Sequence, residues 1–133
     1  MLSQPLIHGD ETTLQVLKEP GKSAQSKSYM WCYRRSVEDC LEPVVLFDYQ
    51  PGRGQEYPKA FLDGYKGMLI SDGYSAWRTL KKATHFGCMA HARQMFTDVF
   101  KGQKNKPSPR VAKTLEYFQA LYQVEALAKG KTA

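Results

Sequence analysis

Two aspartates on strand-like runs are the residues of this sequence best suited to chemistry. Asp10 lies in a strand-like run over residues 6–16, and Asp72 closes a short apolar run over residues 68–72. Carboxylates that converge from two strands supply the hard oxygen ligands that Mg²⁺ and Mn²⁺ prefer. Glu11 falls on the opposite face of the same strand, because side chains alternate along a strand. The spacing therefore predicts a split metal site of Asp10 and Asp72, without Glu11.

Both aspartates also have a purely structural explanation. Asp10 could make a polar contact at a strand edge, and Asp72 could cap a following helix, a position that aspartate fills well. A carboxylate at a strand end that opens into a loop is, however, where α/β sheets tend to place chemistry. The surrounding sequence has to decide between the two interpretations.

The composition sets the broad class. The chain has 133 residues, of which 42% are hydrophobic, and this fits one globular domain over residues 1–133. Neither a membrane span nor a signal peptide is evident, so a cytoplasmic protein is expected. Three cysteines are an odd number with no repeated spacing and predict no disulfide framework. The net charge of +6 favours a polyanionic partner such as DNA.

The pattern of elements predicts an α/β protein with a mixed five-stranded sheet. Three strands joined by loops suggest an antiparallel meander, and the later strands alternate with helices, which implies parallel pairing. This is the strand and helix order of the ribonuclease-H-like fold. Four aromatic residues, Trp31, Tyr33, Phe47 and Trp77, are expected in the core. Strands are predicted over residues 6–17, 29–35, 44–49, 68–72 and 84–89, short helices over 58–65 and 75–81, and longer helices over 91–101 and from 111 onward.

Four motifs in this order carry a resemblance to a known family. Residues 8–17 (HGDETTLQVL), 46–54 (LFDYQPGRG), 71–74 (SDGY) and 87–93 (GCMAHAR) resemble the catalytic-domain core of an insertion-sequence-66 (IS66) type DDE transposase. The resemblance implies a ribonuclease-H-like fold and metal-dependent cleavage and transfer of DNA strands. It also implies that Asp10 and Asp72 are the first and second acids of the catalytic triad, with Mg²⁺ or Mn²⁺ as the cofactor.

The third acid departs from the family pattern. Family transposases are several times longer and carry a glutamate downstream, so this chain is expected to be a fragment that binds metal weakly and is inactive alone. A bare ribonuclease-H-like scheme would instead nominate Asp98, on the helix after the fifth strand. Glu116 and Glu125 fit a solvated helix face at least as well.

The basic residues suggest where DNA would bind. Arg53 lies between two glycines, where it could approach a phosphate or simply end a turn. Lys104, Lys106 and Arg110 belong to a basic, proline-broken loop, and residues 18–27 form a second lysine-bearing loop. The expected partner is DNA, at transposon ends, with nucleoid association if DNA is bound.

Association with another protein is a further expectation. An apolar stripe of Val111, Leu115, Phe118 and Tyr122 on the last helix would be exposed in a fragment and covered in a homodimer or by a full-length transposase. The alternatives to a catalytic core are a non-catalytic DNA-binding or transposase-assembly module, or a structural remnant.

Overall fold

A computed structural model describes residues 1–35, 43–103 and 108–128. Its sheet has five strands in the order β3-β2-β1-β4-β5. The pairs β1/β2 and β2/β3 are antiparallel, and the pairs β1/β4 and β4/β5 are parallel. The predicted mixed five-stranded sheet is thereby confirmed. The strands are β1 (Leu6–Gln15), β2 (Lys27–Arg35), β3 (Val45–Gln50), β4 (Met68–Ser71) and β5 (Thr84–Gly87).

The chain divides into two compact units, a sheet unit (Met1–Cys88) and a helix unit (Met89–Ala133). The sheet unit contains the short helix α1 (Glu56–Phe61) and a 3₁₀ helix (Trp77–Thr79), and the helix unit contains α2 (Met89–Gly102) and α3 (Pro109–Ala128). No helix in the described ranges is both long and apolar enough to cross a bilayer.

The core of the sheet unit lies on one face of the sheet. Two aromatic residues from β2, Trp31 and Tyr33, are fully buried there and pack edge-on against the buried Trp77, with ring centroids 5.1 and 5.8 Å away. Tyr33 also stacks on Phe61 of α1 at 3.9 Å. Aromatic rings bury much apolar area each, so these few rings supply most of the driving force of this small core. Ile7, Leu62, Tyr65, Leu69, Ala76 and Leu80 complete the cluster.

The prediction that Phe47 lies in the core is wrong, because Phe47 lies on the other face of the sheet. Phe47 is 69% exposed. Its strand, β3, is at the edge of the sheet, and Phe47 pairs with Cys32, whose side chain alternates with those of Trp31 and Tyr33. Phe47 therefore points away from the core cluster, although Trp31, Tyr33 and Trp77 are buried as predicted.

Two predicted helices differ from the structure. The segment 75–81 forms only the three-residue 3₁₀ helix Trp77–Thr79, because Trp77 is drawn into the core and the connection to β5 is short. Helix α1 starts two residues before Pro58 and ends at Phe61. Proline is tolerated there because the first N–H groups of a helix have no intrahelical partner.

In the helix unit, α2 and α3 pack on each other through Phe96 and Phe118, whose ring centroids are 5.9 Å apart. Phe118 is 9% exposed. The expectation that the stripe through Phe118 is uncovered is therefore wrong for its central residue. The exposed apolar side chains of α3 lie elsewhere, at Tyr117, Leu121, Val124 and Leu127, with Tyr122 at the margin.

Candidate metal and DNA site

The two predicted metal ligands lie on neighbouring strands. In the parallel pair β1/β4, His8 is level with Ile70, so Asp10 and Asp72 each follow two residues beyond that pair. Asp10 is in β1, the central strand, and Asp72 comes directly after the last residue of β4. The register therefore brings both aspartates to the same level at the carboxyl end of β4, where the chain leaves the sheet.

Asp72 is held by a tight turn. Its Oδ1 accepts a hydrogen bond from the backbone N–H of Tyr74 at 2.8 Å, a local turn that aspartate forms readily. Gly73 between them has φ of +88°, a conformation that favours glycine. The structural role predicted for Asp72 is thus partly present, although it caps a turn and not a helix. Its other oxygen, Oδ2, lies 4.0 Å from Nη2 of Arg53.

Asp10 and Glu11 point to opposite faces of β1, as their alternation predicts. Asp10 is exposed, and its Oδ1 accepts a hydrogen bond from the backbone N–H of Glu11 at 2.9 Å. The side chain of Glu11 is only 1% exposed. It lies on the core face, where Oε2 accepts a hydrogen bond from Nε1 of Trp77 at 2.9 Å.

Glu11 also binds Arg53. Its Oε1 accepts hydrogen bonds from Nε and Nη2 of Arg53 at 2.9 and 2.5 Å. A carboxylate with a guanidinium is a strong pair because both partners are charged. The Arg53 side chain remains 41% exposed. One end of this ion pair is therefore buried and the other reaches the surface beside Asp72.

Several further contacts fix the loop that carries Arg53. The guanidinium carbon of Arg53 lies 3.8 Å from the centroid of the Tyr74 ring, and the Tyr74 hydroxyl donates a hydrogen bond to the Arg53 carbonyl at 2.7 Å. Trp31 Nε1 approaches the carbonyl oxygen of Gly52 at 3.5 Å. Stacking on an aromatic ring is a favourable contact for a guanidinium. The backbone and the side chain of Arg53 are thus both constrained.

The surroundings shift the pKa values of this pair. Burial raises the pKa of Glu11, and the hydrogen bonds from Arg53 and Trp77 offset that rise only in part. The nearby charge of Asp72 raises it further. For Arg53, partial burial acts to lower the pKa, but the hydrogen bond and charge of Glu11 outweigh it and the pKa is raised. Arg53 therefore stays a cation next to two carboxylates.

The donor set matches a hard divalent ion only in part. Asp10 and Asp72 offer carboxylate oxygens, which suit Mg²⁺ or Mn²⁺. Across residues 1–35, 43–103 and 108–128, no three His, Cys, Asp or Glu side chains come together as a metal site. The alternative acid Asp98 lies on α2 in the helix unit, where it accepts a hydrogen bond from Gln94 at 2.6 Å. Glu116 forms a surface ion pair with Lys113 at 3.1 Å.

The predicted DNA contacts are only partly described. Lys104 and Lys106 lie outside the described residues, and Arg110 is exposed in the first turn of α3. In the other basic loop, Lys22 forms an ion pair with Glu19 at 3.2 Å and donates to the carbonyl of Pro51. The Lys22 ammonium group is therefore already engaged within the fold.

The role of Glu11 in binding Arg53 was not predicted from the sequence. Alternation places its side chain on the core face, and a buried carboxylate needs partners. The burial expected for Glu11 could therefore have indicated that a hydrogen-bond or ion-pair partner lies near it. The partners themselves, Arg53 and Trp77, are 42 and 66 positions away in sequence.

The fold and the site together define an α/β protein in which Asp10, on the central strand of a mixed sheet, and Asp72, directly after β4, lie at the same level, with Arg53 beside Asp72. The sequence model of the family described as "Transposase IS66 family" matches residues 1–133. The chain therefore belongs to the IS66 family of transposases, as its motifs had indicated.

Two relatives come from Sinorhizobium fredii (strain NBRC 101917 / NGR234). "Uncharacterized protein y4qI" is 34% identical, in a match that covers 70% of this chain and 20% of the relative. "Uncharacterized protein y4jD" is 30% identical, in a match that covers 98% of this chain and 27% of the relative. The chain thus spans between a fifth and about a quarter of the length of these relatives. No solved structure gives a significant match.

Proposed function

We propose that this chain forms part of the DNA-processing core of an IS66 transposase, with a ribonuclease-H-like sheet and with Asp10 and Asp72 as two of its metal-binding acids. The observation that carries the proposal is the register of β1 and β4, which sets these two aspartates level on adjacent strands. The family match and the strand order support it.

The chemistry follows from the residue types. Divalent ions held by such acids activate the attacking oxygen and stabilise the leaving oxygen in phosphoryl transfer. The contribution of this chain would be positional. Asp10 and Asp72 would hold metal, and Arg53 would approach a DNA phosphate, since an arginine fork suits phosphate oxygens. Positioning and charge stabilisation account for nearly all of the catalysis in such reactions.

The third acid is proposed to come from outside these 133 residues. Two carboxylates neutralise a pair of divalent ions poorly, and Arg53, 4.0 Å from Asp72, adds positive charge beside them. The isolated chain should therefore bind one ion weakly and should not cut or join DNA. Asp98 is the alternative third acid.

Calorimetric titration with Mn²⁺ tests the metal site. Wild-type protein should bind weakly, and Asp10→Asn or Asp72→Asn should abolish the heat of binding. Asp63→Asn is a matched control, because Asp63 is an exposed acid in the loop before β4, at the opposite end of that strand. Equal loss in the control would contradict a defined site. Robust metal-dependent cleavage by the chain, lost in Asp98→Asn, would show that Asp98 is the third acid.

Binding to duplex DNA tests the partner. Contacts limited to phosphates should weaken steeply as salt rises and show little sequence preference. Fluorescence anisotropy with a labelled duplex between about 50 and 200 mM salt measures both properties. Absence of binding at the lowest salt would refute DNA as the partner of this chain.

A transposase-assembly role is the second candidate, and the exposed apolar side chains of α3 favour it. Tyr117, Leu121, Val124 and Leu127 are each more than half exposed. A homodimer that covers them stays a prediction. Light scattering that shows a monomer at high protein concentration would count against it, and Leu121→Lys should dissociate any dimer that forms.

A further inference from the structure

We propose that Glu11 is a positioning residue, which holds the guanidinium of Arg53 beside Asp72 so that it meets a DNA phosphate at the metal site. The inference rests on the proposed function, and it assigns a role to a buried acid that is not itself expected to bind metal. The juxtaposition that carries it is the position of Arg53 between two acids, because its Nη2 lies 2.5 Å from Oε1 of Glu11 and 4.0 Å from Oδ2 of Asp72.

Glu11, Arg53 and Asp72 form a cluster, and the buried acid of this cluster, Glu11, fixes the position of the Arg53 side chain. Glu11 is anchored in the core by Trp77, whose indole is itself fully buried. Through Oε1 it then takes two N–H groups of Arg53. A long arginine side chain loses much rotamer freedom when it is fixed, and a charged, two-point hydrogen bond offsets that cost. The aromatic face of Tyr74 at 3.8 Å restricts the fork further.

The exposed end of the cluster is suited to an anion. A guanidinium has five N–H donors, of which Glu11 takes two, and the Arg53 side chain is 41% exposed. Oδ2 of Asp72 lies 4.0 Å away, too far for a hydrogen bond but near enough to set the position of Arg53 relative to the metal-binding acid. A phosphate bound to Arg53 would therefore lie next to Asp72.

This role predicts an effect opposite in sign to simple electrostatics. Removing a negative charge near a DNA-binding surface should by itself strengthen binding to a polyanion. If Glu11 positions Arg53, its neutralisation should weaken binding instead. Glutamine has one acceptor oxygen in its side chain, so Glu11→Gln cannot satisfy both Arg53 and Trp77.

The test is anisotropy of the 133-residue protein with a short labelled duplex of mixed sequence at several salt concentrations. Arg53→Ala should lower the affinity about tenfold and reduce the magnitude of the salt slope by about 0.9, as expected for one lost phosphate contact. Glu11→Gln should lower the affinity by a similar factor, and the double variant should be no weaker than Arg53→Ala. Glu56→Gln is the matched control, since it removes an exposed acid from the nearby helix α1, and it should change the affinity less than about twofold.

Circular dichroism first establishes that Glu11→Gln is folded. Unchanged or tighter binding by the folded variant would overturn the inference while leaving DNA binding intact. If the wild-type protein does not bind the DNA duplex at all, both this inference and the proposed function are overturned. If Glu11→Gln does not fold, the DNA affinity of Arg53→Lys tests the inference instead. Lysine keeps the positive charge but cannot donate the paired hydrogen bonds that Arg53 makes to Glu11. A loss of about fivefold would support positioning, and wild-type affinity would refute it.

Discussion

Adding one methyl group at Gly9 should destabilise the sheet unit. Gly9 is buried in β1, and a Cβ there would lie 2.7 Å from Cη2 and Cζ3 of Trp77. Carbon atoms in good contact are about 3.5 to 4.0 Å apart, so the methyl group would be roughly 1 Å too close. Trp77 cannot easily move away, because Trp31 and Tyr33 pack edge-on against it.

The expected cost of Gly9→Ala follows from these contacts. Overpacking of a tight core typically costs about 1 to 3 kcal/mol. Replacing glycine by alanine also removes freedom from the unfolded chain, which contributes about 0.4 to 1 kcal/mol in the opposite direction at an unstrained position. Gly87→Ala isolates that second effect, since a Cβ at Gly87 would meet nothing within 4 Å. Gly9→Ala should therefore be about 1 to 3 kcal/mol less stable than Gly87→Ala.

Urea unfolding followed by tryptophan fluorescence measures this difference. Trp31 and Trp77 are the two tryptophans of the sequence, and both are buried in the core, so the signal reports this part of the fold. A shift in the emission of folded Gly9→Ala would show displacement of the indole. If the free energies of unfolding of the two variants agree within about 0.5 kcal/mol, the close approach of Gly9 to Trp77 is not a real constraint.

Two further predictions concern single aromatic residues. The Tyr33 hydroxyl is buried without a hydrogen-bond partner in the described part of the chain, and burial raises its pKa, so stability should fall as pH rises above about 10. Tyr33→Phe should remove the part of that alkaline loss that Tyr33 causes and leave the part due to Tyr65, whose pKa is also raised by burial. It should gain about 1 kcal/mol at neutral pH, as measured by urea unfolding; a loss of stability at neutral pH would contradict it. Phe118→Ala should destabilise the helix unit by about 3 kcal/mol. The Tyr117 side chain is 61% exposed, so Tyr117→Ala should change the stability by less than about 0.5 kcal/mol. Hydrogen exchange of α2 and α3 amides compares the two, and equal effects would refute the packing of Phe118.

The sheet could be predicted because its signals are local. The strand-like run over residues 6–17 marked β1, and the change from loop-joined strands to strands separated by helical segments indicated where pairing turns parallel. Phe47 was misplaced because an aromatic residue in a strand is equally compatible with either face, and only the register with Cys32 decides. The predicted helix over 75–81 failed because burial of Trp77 overrides local periodicity.

Candidate site residues could be named from the sequence only where a residue type suggests a chemistry. Asp10 and Asp72 were named because carboxylates on strands suit metal ions, and their role as metal ligands stays a prediction. The hydrogen bonds of Glu11 to Arg53 and Trp77 could not be predicted, since these partners come from a loop and a 3₁₀ helix that approach Glu11 only in the folded chain. Sequence could establish that Glu11 faces away from Asp10, but not that Arg53 meets it there.

The central strand β1 pairs with β2 on one side and with β4 on the other, and the two pairings are expected to form at different stages of folding. Pairing of β1 with β2 begins across a connection of about a dozen residues, whereas His8 and Ile70 in the β1/β4 pair are 62 positions apart. Closing the longer loop costs about 1.5 kcal/mol more in chain entropy. We therefore expect the meander to form first and β4 to join it late. Asp10 would then already lie on the meander of β1, β2 and β3 before β4 brings Asp72 level with it.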